Sequence, residues 1–121
     1  MGGQNLIRFV IDTREQEPYD LPGAIVKTLI TGDYSLDGYE DAVTIERKTL
    51  ADLFGTLSKR PQQFKAELVR MRAMRRAVVV IEGTAGDVAD GPQYYRSNRL
   101  PREAYGQICL AKVVGIVSRT G

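Results

Sequence analysis

Histidine is absent from this 121-residue chain, and cysteine occurs once. Without histidine there is no imidazole for acid–base work, no Ser-His-Asp triad and no His-ligated zinc. Any catalysis must therefore run on carboxylates, lysine, tyrosine or a metal ion. The single cysteine, Cys109, excludes an internal disulfide, which fits a reducing compartment, and it reads as a small buried group on a helix. Long apolar runs are missing as well. None approaches the roughly 20 residues that a membrane helix needs. The opening Met1-Gly2-Gly3-Gln4-Asn5 leads into no signal peptide, so no membrane partner is expected.

What is present is ordinary for a globular domain: 43% hydrophobic and 26% charged residues, with a mild net charge of +2. The length suits a single domain over residues 1–121, large enough for a real core. Repeats, low-complexity tracts and interdomain linkers are not evident.

The chemistry concentrates in Ile45-Glu46-Arg47-Lys48-Thr49-Leu50-Ala51-Asp52. An apolar strand end carries a carboxylate, two cations follow it, and a second carboxylate comes four residues after Lys48. Strand alternation puts Thr44, Glu46 and Lys48 on one face, and Val43 and Ile45 on the other. Upstream, the turn pair Asp37-Gly38 suggests a hairpin-like return that brings Asp33 beside Glu46. Two adjacent carboxylates repel unless a cation joins them, and hard oxygen ligands suit Mg²⁺ or Mn²⁺. Lys48 on the same face can reach a water or a phosphate at that metal. Together these are the parts needed to cut a phosphodiester.

The rest of the chain reads as strands, short helices, a strand and a longer helix. Leu6 to Asp12 is expected to form a buried strand that delivers Asp12 and Arg14 to its end. Pro18 and Pro22 break the loop from Glu15 to Gly23. Strands follow over Ala24 to Ile30, Asp33 to Leu36 beyond a bend at Gly32, and Val43 to Arg47. Thr49 suits a helix N-cap with Asp52 at the third helical position. Asp52 either only caps that helix, which runs to about Leu57, or tethers Lys48 or Arg47. Pro61 suits the first turn of a second helix, whose Phe64, Leu68 and Met71 share a face. Between Ser58 and Arg76 stand Lys59, Arg60, Lys65, Arg70, Arg72, Arg75 and Arg76 against the lone acid Glu67. Such a run is either a solvated face or a set of phosphate contacts. Val78 to Ile81 reads as a central strand covered on both faces. Gly83 to Asn98 is a long loop, where Tyr95 and Arg96 either pin the loop or meet unpaired bases. Pro101 begins a helix to about Arg119, with Ala104, Ile108, Ala111 and Val114 turned inward.

Gly32-Asp33, then Glu46-Arg47-Lys48, three residues and Asp52, resembles the signature of the XPF-type nuclease family. Asp12-Thr13-Arg14-Glu15 is similar to that family's Asp-x-Arg-Glu, and Ala77 to Gly83 to its buried strand ending in Ile-Glu-Gly. The ordered matches run over roughly residues 6–83. The resemblance implies an α/β restriction-endonuclease-like core, a central mixed sheet flanked by helices. Family domains continue with a strand and a helix past the position of Gly121, so the core is expected without them and without the family's helix-hairpin-helix module.

The implied activity is a divalent-metal-dependent DNA endonuclease acting at branched or flapped structures. Water attacking in line would leave a 5′-phosphate and a 3′-hydroxyl. Two alternatives stand beside it: a catalytically silent DNA-binding or dimerisation partner, and a restriction or junction-resolving nuclease on the same core. Asp33 and Glu46 are expected to hold the metal. Lys48 is expected to position or deprotonate the attacking water, with Arg47, Asp52, Asp12 and Arg14 as further catalytic candidates. Asp12 could instead cap a strand end, and Arg14 could instead pair with Glu15 or Asp33. The candidates for DNA contact are Arg60, Lys65, Arg72, Arg75, Arg76, Tyr95 and Arg96. The implied partners are DNA and a second subunit, as homo- or heterodimer. The implied location is inside the cell, in the cytoplasm of a prokaryote or virus-infected cell or in a nucleus.

Overall fold

The computed structural model describes residues 7–93, 95 and 99–120, with side chains through 116. In chain order the elements are β1 (Phe9–Asp12), β2 (Ile25–Lys27), β3 (Tyr34–Leu36), β4 (Val43–Thr49), α1 (Leu50–Lys59), α2 (Pro61–Arg72), β5 (Arg76–Glu82), α3 (Ala85–Asp90) and α4 (Arg102–Thr120). The strands form one five-stranded sheet in the order β2-β1-β3-β4-β5. The sheet is mixed, as expected: β1 runs parallel to β2 and antiparallel to β3, and β3 runs antiparallel to β4. The fold divides into two compact units, residues 1–47 with 70–80 and residues 48–69 with 81–121.

In the first unit Val10, Ile11, Leu29, Tyr34 and Met71 are buried, with Ser35 and Thr44 among the buried polar side chains. Each fully buried aliphatic side chain of this kind contributes roughly 1.5–3 kcal/mol. The two buried hydroxyls are satisfied within the sheet: Ser35 donates to the Val43 carbonyl at 2.6 Å and Thr44 to the Thr31 carbonyl at 3.0 Å. Beside Thr44 the chain turns through Gly32, whose φ is +84°. A Cβ at Gly32 would strike the Thr44 hydroxyl, so both the dihedral and the close approach require glycine there. Gly32 thus admits the bend that introduces Asp33.

In the second unit the core is Leu53, Phe54, Leu57, Phe64, Val88 and Cys109, with Leu50, Leu68, Ile81, Tyr105, Leu110, Val113 and Ile116 packed on it. The Thr49 hydroxyl accepts the Asp52 N–H at 3.1 Å and starts α1, the expected cap. Gly106 of α4 lies so close to Ala89 of α3 that a Cβ would meet its carbonyl.

Three expectations need correction. The apolar run in β5 does not make a central, covered strand: β5 is last in the sheet order, and Val78 and Val80 are 50% and 37% exposed. An apolar run reports a capacity for burial, and only the sheet order decides whether neighbours use it. The long loop contains a helix, α3, opened by a capping box in which Thr84 and Asp87 satisfy each other's backbone N–H groups. At six residues it is too short for a periodic signal, although the Thr-x-x-Asp spacing of its cap is readable. On α4 the inward stripe is not the expected one. Ile108, Ala111 and Val114 are exposed, while Tyr105, Cys109, Leu110, Val113 and Ile116 face the core. Both stripes are apolar, so periodicity could not choose between them; the bulk of Tyr105 and the seat of Gly106 on α3 did.

Candidate metal and nucleic-acid site

Asp33 is held by its backbone and by its side chain. Its N–H donates to the Ile45 carbonyl at 2.8 Å, and its carbonyl accepts the Asp12 N–H at 2.9 Å. Its carboxylate oxygen Oδ2 accepts the Arg47 N–H at 2.8 Å. Ile45 and Arg47 are the two neighbours of Glu46 in β4, so Asp33 is bonded on both sides of that residue. Extending the pairing Tyr34↔Ile45 by one residue also sets Asp33 opposite Glu46. Both carboxylates are half-buried.

Among the described residues, no cluster of three or more Asp, Glu, Cys or His side chains suited to a metal is found. A pair of carboxylates nevertheless fits Mg²⁺ or Mn²⁺. Mg²⁺ keeps several waters and is usually held by one or two carboxylates plus substrate phosphates. Asp33 and Glu46 would hold such an ion.

Asp12 is 3% exposed and fully engaged. Its Oδ1 accepts the Leu29 N–H at 2.8 Å, and its Oδ2 accepts the Arg14 Nε at 2.8 Å and the Arg14 N–H at 3.2 Å. Arg14 also donates to the Leu29 carbonyl at 2.8 Å. Arg14 therefore pairs with Asp12, and together they brace the end of β1 against the strand exit at Leu29. Burial pushes the Asp12 carboxyl up, but the Arg14 guanidinium and the two backbone N–H groups outweigh it, and the pKa lies below its ordinary value. A depressed carboxyl contributes stability that is present above its unfolded-state pKa and is lost as pH falls through its folded-state pKa. Asp12→Asn is expected to cost about 1–3 kcal/mol at pH 7 in urea unfolding. It should also flatten the loss of stability that the parent shows below about pH 4. An acid limb identical to the parent's would remove Asp12 from this role.

Arg47 carries its guanidinium to the loop after β1. Nη1 stands 3.4 Å from Glu15 Oε2 and also donates to the Glu17 carbonyl. The guanidinium lies over the Tyr19 ring, 4.5 Å from its centroid. These partners, with Tyr34 behind them, were not foreseen from the sequence. The available signal was alternation, which puts Tyr34 and Arg47 on the face opposite the candidate ligands.

Lys48 is 8% exposed, and its ammonium lies 5.2 Å from the centroid of the Phe64 ring. An ammonium over an aromatic face is attracted by the ring's quadrupole, which favours a definite position for it. Asp52 is exposed in the first turn of α1, where a carboxylate favours the positive end of the helix dipole.

Arg60, Lys65, Arg72, Arg75 and Arg76 are all exposed. Tyr95 stacks on Tyr105 with centroids 4.8 Å apart and planes 11° apart, an arrangement that pins its loop. Arg96 lies outside the described residues. No helix among the described residues is long and apolar enough to cross a membrane.

A family model described as the ERCC4 domain matches residues 11–116. A search of curated proteins finds no match. Among solved structures, XPF from Aeropyrum pernix superposes with a TM-score of 0.66 at 21% sequence identity. The match covers 94% of this chain and 53% of that one, so the chain spans about half the length of the solved structure it resembles. At this identity the likeness establishes a shared fold, the α/β restriction-endonuclease-like core.

Proposed function

Because the chain belongs to the ERCC4 domain family, we propose that it is the nuclease domain of a divalent-metal-dependent DNA endonuclease, acting at branched or flapped DNA inside the cell. The observation that carries this reading is the fastening of Asp33 to both neighbours of Glu46. Two acidic residues are thereby held opposite each other in a protein that contains no histidine. Packing alone gives no reason for that pairing, whereas a divalent cation does. Bound there, Mg²⁺ or Mn²⁺ would supply Lewis-acid chemistry at a phosphate oxygen and a more acidic water.

The chain's own residues supply the rest. Asp33 and Glu46 would hold the ion. Lys48, two positions after Glu46 in β4, contributes an ammonium to the attacking water and to the charge that builds on phosphorus. Asp12 and Arg14 hold the end of β1 from which Asp33 is bonded. The exposed cations from Arg60 to Arg76 neutralise backbone phosphates and give affinity without sequence preference.

The test is single-turnover cleavage of flap, fork, four-way and linear DNA in Mg²⁺, with binding measured separately in Ca²⁺. Metal-dependent nicking at the flap or fork is expected. Binding without cutting would assign the chain to the silent partners of such nucleases. Preference for four-way or linear DNA would assign it to resolving or restriction enzymes. In the same assay, replacing Arg72, Arg75 and Arg76 by glutamate is expected to weaken DNA binding and flatten its salt dependence. Each lost phosphate contact should remove about 0.9 from the slope of log K against log salt. An unchanged slope would return these arginines to bulk solvent.

A further inference from the structure

Tyr34 follows Asp33, and Arg47 follows Glu46; these two successors are linked behind the candidate ligands. Neighbours in a strand point to opposite faces, and the pairing Tyr34↔Ile45 puts Tyr34, Ile45 and Arg47 on one face. There the Tyr34 hydroxyl donates to Glu15 Oε2 at 2.9 Å and accepts the Tyr19 N–H at 3.0 Å. The Tyr19 ring stacks on the Tyr34 ring, 5.4 Å between centroids with 17° between planes. The Arg47 guanidinium also lies over the Tyr19 ring and returns to the same Glu15 oxygen. Glu15, Tyr34, Tyr19 and Arg47 thus form a closed ring of contacts, with Tyr34 only 2% exposed.

We infer that Tyr19, Tyr34 and Glu15 are positioning residues for the proposed metal site. By holding the Arg47 side chain, they keep the Arg47 peptide N–H on Asp33 Oδ2 and so set the direction of that carboxylate beside Glu46. The inference rests on the nuclease reading and deepens it. Arg47 acts in it as a strut: its guanidinium is directed to Glu15, the Glu17 carbonyl and the Tyr19 ring, and its side chain is 19% exposed. The Arg47 backbone meets one ligand while its side chain meets the loop from Glu15 to Tyr19. Loosening the loop therefore loosens the ligand, although no loop residue need touch DNA.

The test compares Tyr19→Leu, which keeps apolar bulk but removes the aromatic face, with Tyr19→Phe, which keeps the face. The first measurement, made without metal or DNA, is amide hydrogen exchange at Arg47. Tyr19→Leu should exchange about tenfold faster than the parent and Tyr19→Phe within about twofold, with Leu53 in α1 unaffected as the control against global destabilisation. Unchanged exchange at Arg47 in Tyr19→Leu overturns the ring as a device. The second measurement is Mn²⁺ affinity by calorimetry together with flap cleavage. Tyr19→Leu should weaken Mn²⁺ about 10- to 100-fold, in the range of losses on removing a ligand's support. It should lower kcat, leave KM for DNA within about twofold, and be rescued by Tyr19→Phe. Faster exchange with unaltered Mn²⁺ affinity would make the ring merely structural and overturn the positioning role. A parent that binds no Mn²⁺ would sink the nuclease reading, and the ligand role with it. That outcome is distinguishable because it appears in the parent, whereas failure of the inference appears only in the variants.

Discussion

Lys48→Ala is expected to fold, to bind flapped DNA in Ca²⁺ within a few-fold of the parent, and to lose most cleavage in Mg²⁺. The expected loss is roughly 10²–10⁴-fold for the acid–base contribution alone, with lost electrostatic stabilisation added to it. The argument is one of differential binding. A lysine has no use in coordinating a cation, since it carries the same charge. In the proposed role its favourable interactions would be with the attacking water and the phosphate oxygens, and they would strengthen as negative charge accumulates in the transition state. The side chain is 8% exposed and seated over Phe64, so its ammonium is placed in advance and little of its freedom remains to be lost during reaction. Truncation leaves a gap beside Phe64, and a modest loss of stability is expected with it. Thermal unfolding should accompany the kinetics to show that the variant is folded at the assay temperature. Single-turnover cleavage of a 3′-flap duplex decides the matter: cutting at the parent's rate would reduce Lys48 to a buried structural cation.

Removal of a candidate ligand should have an effect of similar size, visible before any chemistry. Asp33→Asn keeps an oxygen that can still accept the Arg47 N–H, now 2.8 Å from Asp33 Oδ2, so the local hydrogen bond and the fold should survive. What it removes is the negative charge. Loss of a group that only supports a metal ligand already costs about 10–100-fold in affinity, and loss of the ligand's charge should cost at least that. Glu46→Gln should behave alike, and the pair together should abolish both Mn²⁺ binding and cleavage. The measurement is calorimetric titration with Mn²⁺ alongside flap cleavage. Parental Mn²⁺ affinity in both single variants would take the metal away from this pair. Parental stability combined with lost binding would separate the charge of Asp33 from its structural hydrogen bond.

Much of the architecture was readable in the chain because its signals are local. Thr49 with Asp52 three residues on, Pro61, and the stripe of Phe64, Leu68 and Met71 each concern contacts within a turn or two of helix. They reappear as the cap of α1, the start of α2 and the buried side of α2. The strands β1, β3 and β4 were legible for the same reason, and the Asp37-Gly38 return brings the last two into register at Tyr34↔Ile45. The errors lie where one pattern is compatible with two environments. The valines of β5 look alike whether a strand is central or last. On α4 the stripe through Ile108 and the stripe through Cys109 are both apolar.

By itself, the sequence determined that no imidazole chemistry is available and that Glu46 and Lys48 share a strand face. It also determined that the ordered motif from Gly32 to Asp52 belongs to a nuclease-type family. Those facts depend on composition, on spacing along one strand and on residue order. Only the tertiary structure decided what each polar group is spent on. Asp12 and Arg14, both candidates for chemistry, turn out to engage each other and the Leu29 backbone. Arg47, beside Glu46 in the motif, sends its guanidinium away to Glu15 and Tyr19 while its peptide N–H serves Asp33. The physical reason is that a charged group's role is set by whichever partners desolvate and bond it. Asp12 and Arg14 stand two residues apart, but Leu29 lies 15 to 17 residues from them and the partners of Arg47 lie 14 to 32 residues from it, beyond the reach of any local pattern.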